Sequence, residues 1–305
     1  MSRIRDALRR AEQEKGRGRS SPAPDVATVP ATSPPAAVPA PVKPAATGSA
    51  SAIAAASTVA GHAPAARPAG SVSVATLLDS CRRPLWLGDS AKLLLLGSSA
   101  NTVATEQLRS LRARLTEMRS RRALKTVAIS SALDSEGKTF LAANLAHAFA
   151  RQHDRKILLV DADLRRPGLH SLLGAPAEPG LSEYFRGAAT EEQILQRGPQ
   201  ENLFFIPGGR PAVHPGDLLA GGKLKKLLER LTALFDWILV DAPAAAEQDA
   251  GKAESQVAPL IASGCDGVLL VIEAGGTPRK AAQRAAREFP KDRLLGVVLN
   301  RAAVS

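Results

Sequence analysis

The chain has 305 residues, of which 45% are hydrophobic but only 3% aromatic, and its formal net charge is +11. With one Tyr and two Trp, it has few side chains for nucleic-acid recognition by base stacking. Two cysteines exclude a disulfide scaffold or a thiolate zinc site, and the five histidines show no metal-binding spacing. No apolar run approaches the roughly 18 residues of a membrane span, and a signal-peptide pattern is missing, so we expect a cytoplasmic chain.

The positive charge is confined to the first part of the sequence. Residues 126–305 carry 21 basic and 21 acidic side chains, so the whole excess lies in the first 125 residues. A nucleic-acid-binding ATPase would carry a basic stripe on its folded body. We therefore expect no nucleic-acid partner, and we interpret the basic regions as docking elements that precede a neutral catalytic domain.

Three regions follow one another along the chain. Residues 1–19 predict a short, basic amphipathic helix with Ile4, Leu8 and Ala11 on one face, either a docking element or a frayed tail. Residues 20–72 are rich in Ala, Pro and Ser and hold ten of the 22 prolines, which predicts a disordered linker. Residues 73–305 predict the globular domain, and we find no internal repeat.

Within this domain, apolar segments typical of strands alternate with segments that have the spacing of amphipathic helices. Leu93–Leu96 predicts a short strand or a docking segment, and residues 103–122 predict an amphipathic helix. Strands are predicted at 125–131, 156–161, 203–206, 237–241, 267–273 and 294–299, and helices at 138–152, 181–197, 216–235 and 277–289. Continuous apolar strands alternating with amphipathic helices indicate an α/β fold with a mostly parallel sheet covered on both faces.

A phosphate-binding motif lies between the first strand and the following helix. Residues 132–139 (ALDSEGKT) fit GxxxxGK[ST] except that Ala132 replaces the first Gly. In this context, backbone N–H groups and a helix N-terminus can cradle phosphates. Lys138 would reach the β- and γ-phosphates, and the Thr139 hydroxyl would bind Mg²⁺. The alternative is a simple strand-to-helix turn, but the context favours a P-loop NTPase.

Two further strands end in carboxylates. Asp161 and Asp163 follow the strand ILLV, and Asp241 follows the strand WILV. Ligands of open α/β sheets bind at the carboxyl ends of the strands. Any single aspartate of this kind is more often a helix cap or a turn residue, but three such elements in this order on one sheet predict a Mg²⁺-nucleotide site.

These segments resemble the bacterial tyrosine kinases that regulate capsule and exopolysaccharide synthesis, a branch of the MinD/ParA-like P-loop ATPases. The resemblance covers roughly residues 90–301. It is carried by EQLRSLR (106–112, similar to the family's ExxRxxR helix), SALDSEGKT (131–139), LLVDADLRRPGLH (158–170), ILVDAP (238–243) and GVVLN (296–300). The opening segment MSRIRDALRRAEQE also resembles extensions that some members carry.

The resemblance implies a role for each matching residue. It implies ATP and Mg²⁺ as cofactors, with a nucleotide site formed by Ser135, Glu136, Gly137, Lys138, Thr139, Phe140 and Asn300. It implies that Lys138, Asp161 and Asp163 are catalytic, with one aspartate accepting the tyrosine proton, and that Thr139, Asp161 and Asp241 bind the metal. It implies that Glu106, Arg109 and Arg112 form subunit contacts in a homo-oligomer, and the leucine stripe of the same helix leaves this triplet facing outward. The implied partner is a membrane protein of polysaccharide polymerisation or export, which would place the chain at the inner face of the plasma membrane.

The sequence departs from the family pattern at three places. Asp134 and Ser135 replace the usual Pro and Gly of the loop, and residues 244–248 replace a Pro-plus-apolar stretch. The family's C-terminal tyrosine cluster is not matched, and Tyr184, which we interpret as a packing residue, is the only tyrosine. This departure favours a nucleotide-gated scaffold over a self-phosphorylating kinase, whereas the intact lysine and aspartates favour catalysis.

A third reading is a MinD/ParA-like positioning ATPase. Such ATPases carry a signature lysine where this sequence has Leu133, and the neutral domain offers no basic surface for DNA. Both observations favour the kinase branch.

Overall fold

A computed structural model describes residues 74–88, 92–94, 102–245 and 256–302 of the chain. The predicted N-terminal helix (1–19) and linker (20–72) lie outside these residues and remain predictions. Within the described part of the chain, no helix is long and apolar enough to cross a membrane.

The described residues form one seven-stranded sheet in the order β3-β4-β2-β5-β1-β6-β7. Its strands are β1 (Thr126–Ser131), β2 (Ile157–Asp161), β3 (Gln196–Arg197), β4 (Leu203–Ile206), β5 (Trp237–Asp241), β6 (Gly267–Glu273) and β7 (Leu294–Asn300). All neighbours are parallel except β3, which runs antiparallel to β4. The α/β fold with a mostly parallel sheet is thereby confirmed, and the six predicted strands are present within one residue of their predicted bounds.

Helices cover the sheet. They are α1 (Val74–Ser80), α2 (Val103–Arg121), α3 (Lys138–Ala150), α4 (Leu169–Leu173), α5 (Leu181–Phe185), α6 (Glu191–Ile194), α7 (Pro215–Leu219), α8 (Lys223–Leu231), α9 (Val257–Ser263) and α10 (Arg279–Arg287). A short 3₁₀ turn, Ala220–Gly222, joins α7 to α8. Helix α3 is buried from Leu141 to Ala150, as expected for a helix that is apolar on all sides.

Two hydrophobic clusters pack on the two faces of the sheet. Because successive side chains of a strand point to opposite faces, Leu158 and Val160 enter one cluster while Ile157 and Leu159 enter the other. Strands β1, β2 and β5 are buried along their whole length. Their carboxyl ends lie side by side because β5 pairs with both β1 and β2. The predicted phosphate loop and the strand-terminal aspartates therefore share one edge of the sheet.

Two predicted helices are wrong in their continuity. The predicted helix 181–197 is divided into α5, α6 and the two-residue strand β3, because Gly187 adopts a positive φ of 75° and Thr190 starts a new helix. The predicted helix 216–235 is divided at Gly221 and Gly222, both with φ of 70°. Only glycine adopts this backbone conformation at little cost.

The segment before α2 docks onto the domain. Leu93 is buried, and the Asn144 side chain of α3 accepts from the Leu94 N–H at 2.8 Å and donates to the Lys92 carbonyl at 3.1 Å. Of the two alternatives predicted for Leu93–Leu96, the structure shows docking for Leu93 and Leu94. Leu95 and Leu96 lie outside the described residues.

Candidate functional site

The loop 132–137 connects β1 to α3 at the carboxyl edge of the sheet. Ser135 and Gly137 have positive φ angles of 64° and 95°, a backbone conformation that exposes consecutive N–H groups on a concave surface in phosphate-binding loops. Lys138 is the first residue of α3, and the first N–H groups of a helix lack partners within the helix. The local geometry is that of an anion-binding loop at a helix N-terminus.

Lys138 lies over the loop and contacts one of the predicted catalytic aspartates. Its Nζ is 3.1 Å from Asp163 Oδ2, and both side chains are mostly buried. The other oxygen of Asp163 accepts from the Arg166 N–H at 3.2 Å. Burial alone would lower the pKa of Lys138, but the negative charges of Asp241 and Asp163 outweigh it and raise the pKa. Lys138 is therefore a charged ammonium at neutral pH.

Asp161 and Asp241 occupy matching positions on neighbouring strands, and both are fully buried. Asp161 Oδ2 accepts from the N–H groups of Gly168 and Leu169, both at 3.0 Å. Among the described residues, neither Asp161 Oδ1 nor either oxygen of Asp241 has a hydrogen-bond partner. Three buried acceptor atoms thus lie at the strand ends without a donor from the part of the chain that the structure describes.

The burial of these two carboxylates changes their acidity. Desolvation, and then the charge of Asp241, raises the pKa of Asp161 well above its usual value. Desolvation raises the pKa of Asp241 to about 7, although Lys138 and the nearby Thr139 hydroxyl act in the opposite direction. The Thr139 hydroxyl lies near Asp241 but does not donate to it, because neither Asp241 oxygen has a hydrogen-bond partner among the described residues. A cation at the strand ends would favour the charged carboxylates and so act against both shifts.

Asp134, one of the loop residues that depart from the family pattern, forms an ion pair. Arg166 donates to Asp134 Oδ2 at 2.6 Å, which joins the loop to the segment after β2. A narrow cleft beside this pair is lined by Asp134, Asp163, Leu164, Arg165, Arg166, Pro215, Pro243 and Val257. Asp163 therefore faces both the loop and a surface cleft.

The remaining predicted nucleotide residues surround the loop. Phe140 lies half-buried on the first turn of α3, and Glu136 is buried beneath the loop. Asn300, at the end of β7, donates from Nδ2 to the Glu136 carbonyl at 2.8 Å. Thr277, which the sequence analysis missed, donates its hydroxyl to Glu136 Oε1. The Gly-Gly-Thr-Pro turn after β6 was the only sequence signal for Thr277.

The predicted subunit-contact triplet lies on α2, which precedes β1 and the loop in the chain. Glu106 is exposed, whereas Arg109 and Arg112 are half-buried. Glu106 and Arg109 form an ion pair on the surface of α2. Arg112, which we expected to face outward, donates to the Ala148 carbonyl at 2.7 Å. That expectation is wrong for Arg112, because its guanidinium donates to the carbonyl of Ala148 in the last turn of α3, where helix carbonyls lack partners within the helix.

Comparisons with known proteins agree with this geometry. Residues 127–305 match the family described as the CobQ/CobB/MinD/ParA nucleotide binding domain. The tyrosine-protein kinase YwqD of Bacillus subtilis is 32% identical over 198 residues, which cover 64% of this chain and 80% of YwqD. The chain belongs to the bacterial tyrosine-protein kinase family.

Two further proteins extend the comparison. The kinase domain of Escherichia coli tyrosine kinase ETK has a TM-score of 0.59 and 28% identity, covering 70% of this chain and 82% of that one. The succinoglycan biosynthesis transport protein ExoP of Rhizobium meliloti is 34% identical over 183 residues. This match covers 58% of the chain and only 22% of ExoP, so the chain corresponds to a small portion of a much longer relative.

Proposed function

We propose that the chain binds ATP with Mg²⁺ at the loop 132–139 and transfers the γ-phosphoryl group to a protein tyrosine or to water. The observation that carries this proposal is the set of unpartnered oxygens on Asp161 and Asp241, buried beside Lys138. A buried polar atom without a partner costs free energy. Its retention at the edge where α/β sheets bind ligands supports a catalytic use.

Lys138 and the loop would hold the phosphates. The loop N–H groups and the start of α3 offer hydrogen bonds to an anion, while the Lys138 ammonium supplies a full positive charge. Because Lys138 now contacts Asp163, it must leave that carboxylate to reach a phosphate. The contact keeps Lys138 charged and near the loop until nucleotide arrives.

The carboxylates fit a magnesium ion. Among the described residues, no group of three or more His, Cys, Asp or Glu side chains could hold a metal by itself. Mg²⁺ is, however, usually bound by one or two carboxylates together with water and phosphate oxygens. Asp241, Asp161 Oδ1 and the Thr139 hydroxyl would hold it here. When bound, the ion neutralises charge that develops on the transferred phosphoryl group.

Asp163 is the better candidate for the residue that accepts the tyrosine proton. It lines the surface cleft beside the loop, whereas Asp161 is fully buried and held by two backbone N–H groups. Once Lys138 moves to the phosphates, one Asp163 oxygen becomes available to a hydroxyl that enters this cleft. The Arg166 N–H fixes the other oxygen.

The relatives suggest where this chemistry is used. ExoP is named a succinoglycan biosynthesis transport protein, and we propose that the chain works with a membrane protein of polysaccharide export at the cytoplasmic side of the membrane. We also propose that it assembles with itself through α2. A second candidate function is a nucleotide-gated scaffold without kinase activity, which is favoured by the engagement of Tyr184 with Glu191 and Arg230.

The decisive experiment compares ATP turnover by the wild type, Lys138→Ala and Lys226→Ala. Lys226 is exposed on α8, away from the loop, and serves as the matched control. We expect Lys138→Ala to lose turnover while its circular dichroism spectrum is unchanged, and Lys226→Ala to behave as the wild type. Equal turnover by Lys138→Ala, with contamination excluded, would contradict the proposal. Phosphotyrosine detection after co-expression with membrane partners separates kinase from scaffold.

A further inference from the structure

Glu136 is a buried carboxylate that the proposed mechanism does not use. Its side chain lies beneath the loop and the residue is 2% exposed. Oε2 accepts from the Leu133 N–H at 2.8 Å, and Oε1 accepts from the Thr277 hydroxyl. The Thr277 hydroxyl in turn accepts from the Glu273 N–H at 2.8 Å. The carboxylate therefore connects two ends of the loop to the turn that follows β6.

The backbone of Glu136 is fixed from a third strand. Asn300 Nδ2 donates to the Glu136 carbonyl at 2.8 Å, and a Cβ at Gly137 would collide with the same amide. The carbonyl and the following N–H of a trans peptide point in opposite directions. Holding the carbonyl on Asn300 therefore turns the Gly137 N–H away from Asn300 and stabilises the positive φ of Gly137.

The chemistry of these contacts explains why the residue is a glutamate. An ionised carboxylate only accepts hydrogen bonds, and here each oxygen meets a donor. A glutamine would present an amide N–H₂ group to one of these two positions. A buried charge without hydrogen bonds is costly. The Thr277 hydroxyl, supplied by the turn after β6, therefore lowers the cost of burying Glu136 beneath the loop.

We propose that Glu136 and Thr277 are positioning residues that hold the loop 132–137 in its phosphate-binding conformation before nucleotide arrives. This inference rests on the proposed ATP binding and deepens it. Neither residue touches the transferred phosphate in this role. Without the Thr277 hydroxyl, the loop must be ordered at the expense of binding free energy, so nucleotide affinity falls while chemistry at saturating ATP is preserved.

The test is a titration with a fluorescent ATP analogue and Mg²⁺ against Thr277→Val, Thr277→Ser and Thr126→Val. Thr126 is the control, since its hydroxyl, like that of Thr277, accepts from a backbone N–H at 2.8 Å, that of Asp266, but at the opposite edge of the sheet. Thr126 is buried and Thr277 half-buried. We expect Thr277→Val to bind roughly tenfold to hundredfold more weakly, as for one unmade buried hydrogen bond. Thr277→Ser and Thr126→Val should bind like the wild type.

Steady-state turnover adds a second measurement. Thr277→Val should raise KM for ATP while kcat changes less than about threefold, because the reacting groups are untouched. Glu136→Gln should show an intermediate loss and provides an independent variant if Thr277→Val does not fold. Wild-type affinity in both Thr277→Val and Glu136→Gln would overturn the inference, as would equal weakening in Thr126→Val. Failure of the wild type itself to bind nucleotide would instead overturn the proposed function, and this inference with it.

Discussion

Asp236 immediately precedes strand β5 and Asp241 is its last residue, and the two aspartates have opposite environments. At the amino end, Asp236 Oδ2 accepts from the Lys156 N–H at 2.9 Å, and Oδ1 pairs with Arg155 at 3.2 Å. At the carboxyl end, Asp241 is fully buried and, among the described residues, neither of its oxygens has a hydrogen-bond partner. The same residue type thus has its hydrogen bonds satisfied at one edge of the sheet and has unpartnered oxygens, among the described residues, at the other.

Asp266 and Arg293, which also lie at the amino edge, are hydrogen-bonded within the protein as Asp236 is. Asp266 Oδ2 accepts from the N–H groups of Lys125 and Thr126, at 2.8 and 2.9 Å. Arg293 donates to the carbonyls of Ala262, Ser263 and Cys265. A cleft of about 590 Å³ opens beside these residues, but Arg122, Asp266 and Arg293 in its lining are hydrogen-bonded within the protein. The size of a cleft is therefore a poorer guide to function here than the hydrogen bonding of its polar atoms.

The largest contrast should appear between Asp241→Asn and Asp236→Asn. We expect Asp241→Asn to lower ATP turnover by roughly a hundredfold or more, because it removes a charge that would hold the metal. Its thermal stability should equal or exceed that of the wild type, since desolvation of this carboxylate is relieved. Asp236→Asn should keep its turnover and lose about 1 kcal/mol of stability. Calorimetry and a phosphate-release assay measure both quantities.

The pH dependence of stability is a second test of the contrast between Asp241 and Asp236. The folded-state pKa of Asp241 is raised to about 7, so between its usual pKa near 4 and pH 7 the unfolded state ionises while the folded state stays protonated. This effect lowers stability as the pH rises, and it is complete above pH 7. The advantage of Asp241→Asn should accordingly be greatest above pH 7. If Asp241→Asn lost as much stability above pH 7 as Asp236→Asn does, the contrast between the two ends of β5 would be refuted.

His147 is an exception to the satisfied hydrogen bonding of the amino edge. It is buried near the end of α3, Nδ1 lies 3.3 Å from Gln200 Oε1, and Nε2 has no partner among the described residues. Burial lowers its pKa to about 4. Between the usual pKa near 6.5 and pH 4, the unfolded state binds a proton that the folded state does not.

Stability should therefore fall on acidification from pH 6.5 to 4, by about 3 kcal/mol from this residue. We expect His147→Gln to lose this component of the pH dependence, as measured by urea unfolding at several pH values. The matched control is His153→Gln at an exposed position, which should retain it. An unchanged slope in His147→Gln would show that the ring becomes protonated without cost.

The carboxyl edge was more predictable from the sequence than the helical connections. Apolar runs bounded by Asp161 and Asp241 predicted both the strands and the aspartates at their ends, because strand order along a parallel sheet brings such ends together. Helices 181–197 and 216–235 were wrong because single glycines with positive φ interrupt an otherwise helical pattern. Local composition does not reveal which glycine takes that conformation.

Long-range side-chain contacts were the least predictable part of the site. Thr277 is 141 residues from Glu136 in the chain, and Asn300 is 164 residues from it. Arg112 belongs to a charged helix whose pattern is equally consistent with a solvated surface, and its contact with Ala148 depends on where α3 ends. Such contacts follow from tertiary packing, which sequence spacing alone does not specify.

Helix α2 allows the same contrast between engaged and exposed groups to be tested for assembly. Arg112→Ala should cost about 1 kcal/mol of stability, since it leaves the Ala148 carbonyl without its donor. Arg109→Ala, which removes the surface pair with Glu106, should change stability by less than about 1 kcal/mol but weaken the proposed self-assembly. The double variant Arg109→Ala/Arg112→Ala should be monomeric while still binding ATP. Light scattering with Mg²⁺·ATP measures this. Arg121→Ala, which removes another surface pair of α2, is the control.

Assembly of Arg109→Ala at the wild-type level would show that this pair is only a solvated surface. The same conclusion follows if the wild type never assembles, whether alone or with a membrane partner. In either case α2 would contribute to the domain only through its buried side chains, such as Leu108 and Leu115.

The smallest expected effect concerns Tyr184, the single tyrosine of the chain. Its hydroxyl donates to Glu191 Oε1 at 2.9 Å and accepts from Arg230 at 2.6 Å, while its ring packs against Phe185. A phosphate on this oxygen would lie beside the Glu191 carboxylate and would break both contacts. Because its hydroxyl has hydrogen-bond partners within the protein, Tyr184 resembles Asp236 rather than Asp241, and we interpret it as a structural residue.

We therefore expect purified protein incubated with Mg²⁺·ATP to contain almost no phosphotyrosine by mass spectrometry, whatever its activity on partner proteins. Tyr184→Phe should leave the total phosphate content unchanged and should cost about 1 kcal/mol of stability, because Glu191 loses a hydrogen bond but keeps its ion pair with Arg230. Strong labelling that disappears in Tyr184→Phe would contradict this expectation. Arg230 would then have to exchange Glu191 for the phosphate, and a hydrogen-bonded hydroxyl could no longer be taken as evidence of a purely structural role.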